Sequence, residues 1–451
     1  MDENRQHQTK PTVSALGKLT RGKRAYAVLV LCATTAMSLP AQTLTTLYSF
    51  LDSFGSRPPD DPSGLIQATG GNLYGTTFNG GANGSGTVFR ITPSGMLTTL
   101  YSFCPLSGCL DGGGPYAGLV QATNGDLYGT TCCYGPHGAG TAGTIFKITP
   151  SGTLTTLHSF CSQTGCPDGA GPYGALVQAT NGDLYGTTSQ SGAYGGGTVF
   201  KITPSGTLTT LHSFCSQTGC PDGSPPTGLV QAASGDFYGT TMYGGASGLG
   251  TIFRITPSGT LATLYSFVCS QSACPDGTEP SAGLVQATDG NLYGTANGGA
   301  NAGGTIFKIT PSGTLTTLYS FCFQTGCTDG AYPSAGLVQA TNGNFYGTTS
   351  EGGIGGACTG GGCGTVFRLS VGLGPFVITR PTSGEVGAAV MILGTDLTGA
   401  TSVSFNGTAA TFTVVSRSLI TTTIPAGATT GFVTVATPTG TLKSNVKFRV
   451  P

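Results

Sequence analysis

Short runs that alternate apolar and polar residues recur along most of the chain, and glycine-rich turns separate them. In one stretch the runs are Leu119–Ala122, Leu127–Thr131, Thr144–Thr149 and Thr153–Phe160. Their β-branched and aromatic residues favour strands, whereas Asn124-Gly125 and Pro150-Ser151-Gly152 between them favour tight turns. The pattern therefore predicts a unit of four short strands.

This unit is repeated along the chain. The tyrosine of a Tyr-Gly-Thr phrase stands at Tyr74, Tyr128, Tyr185, Tyr238, Tyr293 and Tyr346, at spacings of 53 to 57 residues. Four strands in about 50 residues match one blade of a β-propeller. The last copy ends at Gly364–Ser370 without its fourth phrase, and an isolated copy of that phrase, TLTTLYSF, stands at Thr43–Phe50. We predict a six-bladed β-propeller over residues 42–371, closed by this N-terminal strand. An open solenoid or a sandwich array is the alternative, but neither needs the displaced phrase.

The repeat is absent after Gly374, and residues 375–451 have the length of a small domain. Their alternating stretches are Ala389–Leu393, Thr401–Phe405, Thr411–Val415, Phe432–Ala436 and Val446–Val450. Turn residues separate these stretches, as in an immunoglobulin-like β-sandwich. The predicted fold class is therefore all-β throughout.

Composition narrows the alternatives. Glycine accounts for 77 of 451 residues, and only 8% of the residues are charged. A disordered linker is one interpretation of so much glycine, but disordered chains are usually rich in charge and lack regular apolar phrases. We therefore expect a folded chain.

Residues 1–41 have the pattern of an export signal. Four basic residues come first: Lys18, Arg21, Lys23 and Arg24. The apolar run Ala25–Leu39 and a cleavage region at Ser38–Ala41 follow, which gives a mature start near Gln42. An uncleaved anchor is the alternative. We expect an extracytoplasmic protein, secreted, periplasmic or on the cell surface, with no membrane span after cleavage.

Without this leader the chain keeps 12 Lys and Arg against 16 Asp and Glu, a net charge of −4. Nucleic-acid binding needs a cationic face. The charge therefore argues against nucleic acid as a partner.

Fourteen of the 15 cysteines lie after the leader. Ten of them form five C-x4-C pairs, Cys104 with Cys109, Cys161 with Cys166, Cys215 with Cys220, Cys269 with Cys274 and Cys322 with Cys327, and Cys358 with Cys363 is a sixth pair in a different loop. Cys132 and Cys133 are adjacent, and their pairing stays open. An even number in an exported chain favours disulfides, whereas a metal site would need C-x2-C spacing or histidine partners. A redox or metal site of Cys132, Cys133 and His137 is an alternative to an oxidised loop.

The phrases GLVQATNGDLYGTT and GGTVFKITPSGTLTTLYSF resemble the GloVer tandem repeat of secreted bacterial proteins, over residues 43–370. The tail, with ITRPTSGEVGAAVMILGTDL, resembles an IPT/TIG domain. The first resemblance implies export and a surface or extracellular setting, and it implies no particular molecular activity.

Six of the seven basic residues between residues 43 and 371 share one repeat position, directly after the Phe of the third strand. They are Arg90, Lys147, Lys201, Arg254, Lys308 and Arg368. A ring of six cations could contact an anionic ligand. The plainer interpretation is a solvent-facing or ion-paired strand residue in every unit.

Acidic residues also recur in two loops. Asp126, Asp183 and Asp236 stand in the turn after the first strand, and Asp111, Asp168, Asp222, Asp276 and Asp329 precede glycine between units. Each loop offers one carboxylate, whereas calcium takes six or more oxygens. We expect turn formation, or pairing with the repeated cations across a unit boundary, with calcium as the weaker alternative and no other cofactor.

Residues that break the repeat are few, and they include His137, Glu279 and Glu351. Glycoside hydrolysis needs two carboxylates that face each other across a sugar, and the two glutamates belong to different units. The sequence therefore favours a non-enzymatic binding module for a glycan or a protein, with a polysaccharide hydrolase or lyase, or a structural envelope component, as alternatives. The loops that vary between copies are the expected contact surface: Phe78–Ser85, Tyr134–Ala142, Ser189–Gly196, Tyr243–Leu249 and Glu351–Gly362.

Overall fold

The structure is a computed structural model. It describes residues 47, 60–68, 71–105, 108–122, 124–136, 142–179, 181–270, 274–353 and 364–451. Residues 46–451 form one compact unit. The expected leader, the phrase Thr43–Phe50 apart from Leu47, His137, Cys358 and Cys363 lie outside the described residues, as do parts of the loops Tyr134–Ala142 and Glu351–Gly362.

The repeats fold into six antiparallel sheets, which we call repeat sheets 1 to 6. Sheet 1 contains β1 (Asp60–Pro62), β2 (Ile66–Gln67), β3 (Leu73–Asn79), β4 (Thr87–Ile91) and β5 (Leu97–Ser102). Sheet 2 contains β6 (Val120–Gln121), β7 (Leu127–Thr131), β8 (Thr144–Ile148) and β9 (Leu154–Ser159). Sheet 3 contains β10 (Val177–Gln178), β11 (Leu184–Thr188), β12 (Thr198–Ile202) and β13 (Leu208–Ser213). The strands predicted for the second copy are confirmed to within two residues at each end.

The later sheets repeat this plan. Sheet 4 contains β14 (Ser224–Gln231), β15 (Phe237–Tyr243), β16 (Thr251–Ile255) and β17 (Leu261–Ser266). Sheet 5 contains β18 (Val285–Gln286), β19 (Leu292–Ala296), β20 (Thr305–Ile309) and β21 (Leu315–Ser320). Sheet 6 has three described strands, β22 (Val338–Gln339), β23 (Phe345–Thr349) and β24 (Thr365–Leu369). The fourth strand that the sequence predicts at Thr43–Phe50 lies outside the described residues except for Leu47, and its place in sheet 6 stays a prediction.

Each repeat sheet has two kinds of end. One end, the turn side, carries the tight turns that join the first strand to the second and the third to the fourth, such as residues 232–236 and 256–260. The other end, the loop side, carries the glycine loops and the connections between sheets, such as residues 80–86 and 160–176. The disulfides that the structure describes are therefore on the loop side.

Apolar cores lie between consecutive repeat sheets. The Phe that ends each fourth strand packs edge-on against the Phe of the next sheet's third strand. Ring centroids are 5.3 Å apart for Phe103–Phe146, 5.5 Å for Phe160–Phe200 and 5.3 Å for Phe214–Phe253. The pairs Phe267–Phe307 and Phe321–Phe367 repeat the contact at 5.6 and 5.1 Å. The apolar residues of each repeat thus pack consecutive sheets against each other.

The glycine of each Tyr-Gly-Thr phrase makes room for that Phe ring. A methyl group on Gly294 would lie 2.7 Å from both Leu284 Cδ2 and Phe307 Cζ. Close-packed cores do not absorb such an approach without rearrangement. Steric room, rather than backbone conformation, therefore selects glycine at this position.

Gly294→Ala is expected to lower the free energy of unfolding by about 1–3 kcal/mol, the usual cost of overpacking. Gly283→Ala in the same sheet is the matched control, because nothing lies within 4 Å of the added methyl group. Urea unfolding of both variants measures the difference. Equal stability of the two variants would contradict the packing argument.

After the repeats come two further antiparallel sheets. One contains β25 (Ile378–Arg380), β26 (Ala389–Leu393), β29 (Phe412–Ser416) and β30 (Leu419–Thr423). The other contains β27 (Ser402–Phe405), β28 (Thr408–Ala410), β31 (Val433–Thr437) and β32 (Gly440–Lys443). Alternate residues such as Val390, Ile392, Val403 and Val435 point into one shared core. We call residues 375–451 the C-terminal unit.

One strand predicted for this unit is wrong. Val446–Val450 makes only isolated bridges, at Phe448 to Gly431 and at Arg449 to Ser383. The last regular strand is β32 instead, which forms a hairpin with β31 through the turn at Pro438-Thr439.

The C-terminal unit lies against the turn side of the repeat sheets. The Phe376 N–H donates to the Thr341 carbonyl oxygen at 2.9 Å, and the Thr341 and Thr395 hydroxyls are 2.8 Å apart. The unit also borders sheets 1 to 3 beside Arg380 and sheets 4 and 5 beside Lys443. The loop side is left uncovered by this unit. In the part of the chain that the structure describes, no helix has the length and apolar character needed to span a membrane.

Candidate binding site on the loop side

Disulfides close the short loops between consecutive repeat sheets. They join Cys104–Cys109, Cys161–Cys166, Cys215–Cys220, Cys269–Cys274 and Cys322–Cys327. Cys132 and Cys133 are joined to each other, which answers the question that the sequence left open. Both cysteines of four C-x4-C pairs have a positive φ, between 47° and 69°. The loops therefore hold a backbone conformation that non-glycine residues seldom adopt.

The sixth C-x4-C pair stands in a different kind of loop. Cys358 and Cys363 belong to the glycine loop between β23 and β24 of sheet 6, whereas the other five pairs belong to connections between sheets. Cys358 lies outside the described residues, and so does Cys363. The structure therefore does not confirm a disulfide between Cys358 and Cys363, and that disulfide stays a prediction.

The recurrent loop aspartates stabilise the loops between sheets. The backbone N–H of Cys104 donates to Asp111 Oδ2 at 3.1 Å, and the Tyr101 hydroxyl donates to the same oxygen at 2.9 Å. Burial and this hydrogen bond raise the pKa of Tyr101 to about 12. The Asp111 carbonyl oxygen also accepts the Thr144 hydroxyl of the next sheet at 3.0 Å. Within the described chain the side chains of these aspartates bond to tyrosine, histidine and loop groups, and no ion pair with a repeated cation is seen there.

Two histidines take the place of the tyrosine. His158 Nε2 is 2.8 Å from Asp168 Oδ2, and His212 Nε2 is 2.9 Å from Asp222 Oδ2. Burial opposes ionisation of Asp222, but its hydrogen bonds with His212 and the Cys215 N–H hold its pKa below the ordinary value. The histidines are therefore variants of a structural contact.

The six repeated cations lie on the third strand of each sheet, where the tyrosine of the second strand is the cross-strand partner. Three of them pair with the turn aspartate of their own sheet: Lys147–Asp126 at 3.8 Å, Lys201–Asp183 at 3.9 Å and Arg254–Asp236 at 3.9 Å. At Asn72, Asn291 and Asn344 the turn carries an amide instead. A ligand-contact role for this ring of cations stays a prediction. The ring consists of Arg90, Lys147, Lys201, Arg254, Lys308 and Arg368.

Sequence reasoning missed the glutamine of each first strand. Gln286 Oε1 accepts the Ala233 N–H of the preceding sheet at 2.8 Å, and Gln339 Oε1 accepts the Thr288 N–H at 3.1 Å. Gln286 Nε2 also donates to the Gly290 carbonyl oxygen in its own turn. The repeated phrase Val-Gln-Ala was the available signal, and its role is to link neighbouring sheets.

An aromatic cluster is the clearest feature of the loop side, and sequence reasoning missed it as well. Tyr116 makes edge-to-face contacts with Phe78 (6.0 Å) and with Tyr173 (5.6 Å between ring centroids). Phe78 lies near the end of β3 in sheet 1, Tyr116 and Tyr173 lie in the connections before sheets 2 and 3, and Tyr116 is 59% exposed. We call Phe78, Tyr116 and Tyr173 the aromatic cluster.

Glycines and the adjacent disulfide position this cluster. A methyl group on Gly114 would lie 2.9 Å from the Phe78 ring and 3.2 Å from Cys132 Sγ. A methyl group on Gly171 would lie 2.9 Å from the Tyr173 ring. The backbone thus passes directly beneath the rings, and Cys132 is fully buried there. Phe78 and Tyr173 are thus held against the backbone, and Tyr116 between them stays largely accessible to solvent.

The cluster breaks the repeat symmetry. Tyr116 and Tyr173 follow the proline that precedes the first strand, and Ser63, Thr227, Ser281 and Ser334 hold this position in the other copies. If these tyrosines had a structural role, we would expect them in every copy of the repeat. A binding site, in contrast, needs them at only one place on the surface. Exposed tyrosines with restricted freedom are typical of recognition surfaces.

Acidic residues give no comparable group. Among the described residues, no set of three His, Cys, Asp or Glu side chains could hold a metal ion. Glu279 and Glu351 belong to sheets 5 and 6, where their backbones pair with residues of neighbouring loops. The candidate binding feature of the described loop side is therefore the aromatic cluster.

Comparison with protein families matches residues 34–221 and 216–414 to the Gloeobacter/Verrucomicrobia repeat. The chain belongs to this family. The repeat family therefore extends over all six repeat sheets and into the C-terminal unit. A comparison with curated proteins gives no match.

Several solved structures are distantly similar to this member of the repeat family. The periplasmic gluconolactonase of Pseudomonas aeruginosa is 17% identical, with a TM-score of 0.39 over 68% of this chain and 88% of that one. The α-L-arabinanase of Penicillium chrysogenum, complexed with arabinobiose, is 13% identical, with a TM-score of 0.41 over 68% and 92%. An auxiliary nutrient binding protein of Bacteroides ovatus is 14% identical, with a TM-score of 0.40 over 68% and 69%. Similarity at this level does not extend to activity.

Proposed function

We propose that this protein is an exported, non-enzymatic binding module that recognises a glycan through the aromatic cluster on its loop side. The exposed face of Tyr116, flanked by Phe78 and Tyr173, carries the proposal. The apolar face of a sugar ring packs on an aromatic face, and tyrosine hydroxyl groups then reach the sugar's own hydroxyls. The serines and threonines that replace the tyrosines in other copies add hydrogen-bonding groups.

The proposal includes an architecture of six blades closed by Thr43–Phe50, followed by an immunoglobulin-like IPT/TIG sandwich in residues 375–451. Leu47 supports the closure. The Leu47 carbonyl oxygen lies 2.6 Å from a methyl group placed on Gly95, and the Leu100 carbonyl oxygen lies 2.9 Å from one placed on Gly152. Leu47 therefore has the same position relative to sheet 1 that Leu100 has relative to sheet 2.

The disulfides support export, because such bonds persist in oxidising compartments.

Tyr116→Ala is expected to weaken glycan binding by roughly 30-fold, which corresponds to the loss of an aromatic hot spot. Purified protein that begins at Gln42 is first tested on a glycan array, with and without calcium, and the affinity for the best ligand is then measured by calorimetry. Tyr332→Ala is the matched control, because Tyr332 is 42% exposed and belongs neither to the cluster nor to the loops that vary between copies. Binding that survives in Tyr116→Ala contradicts the proposed site.

The same experiment tests the other functions. Release of sugar fragments during incubation would favour a polysaccharide hydrolase or lyase. Absence of binding to every glycan would favour a protein partner or a structural envelope component.

A further inference from the structure

We propose a second ligand site, for a sugar acid or a similar carboxylate, in the cavity between the C-terminal unit and repeat sheets 1 to 3. The cavity has a volume of about 560 Å³, borders the C-terminal unit, and is lined by none of the three residues of the aromatic cluster. Its apolar walls include Leu65, Leu119 and Leu393. A volume of this size accommodates a small ligand.

Arg380 is the single charged residue among the described residues that line this cavity. No hydrogen bond or ion pair engages its guanidinium within the described chain. Arg380 is exposed, so a ligand in the cavity can reach its guanidinium, and partial desolvation by the surrounding protein lowers the pKa of Arg380. An accessible guanidinium beside apolar walls can bind an anion in the cavity through charge-assisted hydrogen bonds, which are stronger than neutral ones.

The other large cavity beside the C-terminal unit provides a contrast. It has a volume of about 380 Å³ and borders repeat sheets 4 and 5. Its cation, Lys443, lies 3.8 Å from the centroid of the Phe432 ring and is therefore already engaged. A cation without a partner thus distinguishes the Arg380 cavity.

The shape and chemistry of the cavity indicate the ligand class. A guanidinium binds a carboxylate through two parallel N–H···O bonds. Thr382 and Ser383 follow Arg380 and also line the cavity, so their hydroxyls are placed to bond a hydroxylated ligand. The leucine walls suit the apolar face of a sugar ring. Together these features favour a uronic acid over a bare inorganic anion.

D-galacturonate and D-galactose are the probes, because they differ only in a carboxylate against a hydroxymethyl group. Ligand-observed NMR titration of the full mature chain should give an affinity at least tenfold higher for galacturonate, as expected for charged hydrogen bonds. Arg380→Gln should abolish this preference, and Arg380→Lys should keep part of it. Added salt should weaken galacturonate binding and leave galactose binding unchanged.

Lys447→Gln is the control for net charge, since Lys447 is exposed on the same unit and does not line the cavity. Circular dichroism checks that Arg380→Gln keeps its fold, and its melting temperature should be unchanged or higher because an unpaired charge is removed. Equal affinities for the two sugars, no binding of galacturonate, or a preference that survives in Arg380→Gln would each overturn the proposal. Tyr116→Ala should leave the preference intact, so the two proposed sites fail independently.

Discussion

A mature chain that begins at Leu51 instead of Gln42 is expected to be less stable by at least about 3–5 kcal/mol, the cost of replacing one buried Phe by Ala. The deletion removes Thr43–Phe50, the proposed fourth strand of sheet 6. Val366 in β24 is 80% exposed, whereas Val88 and Ile306 at the same repeat position are 0% and 1% exposed. Sheet 6 therefore offers an apolar face that this strand would cover. By analogy with the equivalent positions of the next repeat, where Phe103 packs on Phe146, Phe50 would pack on Phe89.

Thermal and urea unfolding of the two chains measure the loss of stability. Hydrogen exchange separates ring closure from a local contact. Since β24 already pairs with β23, only the β24 amides that face away from β23 report a fourth strand, and a closed ring protects them in the longer chain alone. Phe50→Ala is the narrower variant, and Phe323→Ala is its control, since Phe323 is 79% exposed. Equal unfolding of the long and short chains, or an unprotected β24 in both, contradicts the closed ring.

Reduction of the disulfides is expected to be the other large effect. Each C-x4-C bridge joins cysteines five positions apart, and a loop of this length stabilises the folded state by roughly 2 kcal/mol. Five such loops add up to about 10 kcal/mol, which is comparable to the whole stability of an ordinary domain. The reduced protein should therefore unfold at a much lower temperature or denaturant concentration than the oxidised protein.

Unfolding curves with and without a phosphine reductant test this expectation. Non-reducing peptide mapping should show each C-x4-C pair linked internally, and it also tests the predicted link between Cys358 and Cys363. The double variant Cys215→Ser/Cys220→Ser removes one loop and should lose about one fifth of the total effect. Free thiols throughout the purified protein, or identical curves under both conditions, would refute a stabilising role for these bridges.

Much of the fold follows from local pattern. Leu127–Thr131 and Thr144–Thr149 alternate, contain β-branched residues and end at turns, so their strands are encoded within a few residues. The C-terminal unit shows the limit of such reasoning. Val446–Val450 alternates equally well but lies between distant partners, and only isolated bridges form there.

The candidate site is harder to predict because its members are far apart in the sequence. Phe78, Tyr116 and Tyr173 each look like loop residues, and nothing local shows that their rings meet. Arg380 looks like any exposed strand residue, and its lack of a partner depends on what the folded chain places around it. Side chains of this kind acquire a role only from neighbours in other sheets.

The sequence by itself determined the repeat, its strands and turns, and the spacing of the paired cysteines, because each depends on residues close together in the chain. The tertiary structure decided the partner of each recurrent aspartate: the Asp111 carboxylate accepts a hydrogen bond from Tyr101, while Asp126 forms an ion pair with Lys147. It also decided that three aromatic rings from three sheets meet on the loop side and that the C-terminal unit lies on the turn side. These outcomes depend on how whole sheets pack, and packing joins residues that the sequence keeps apart.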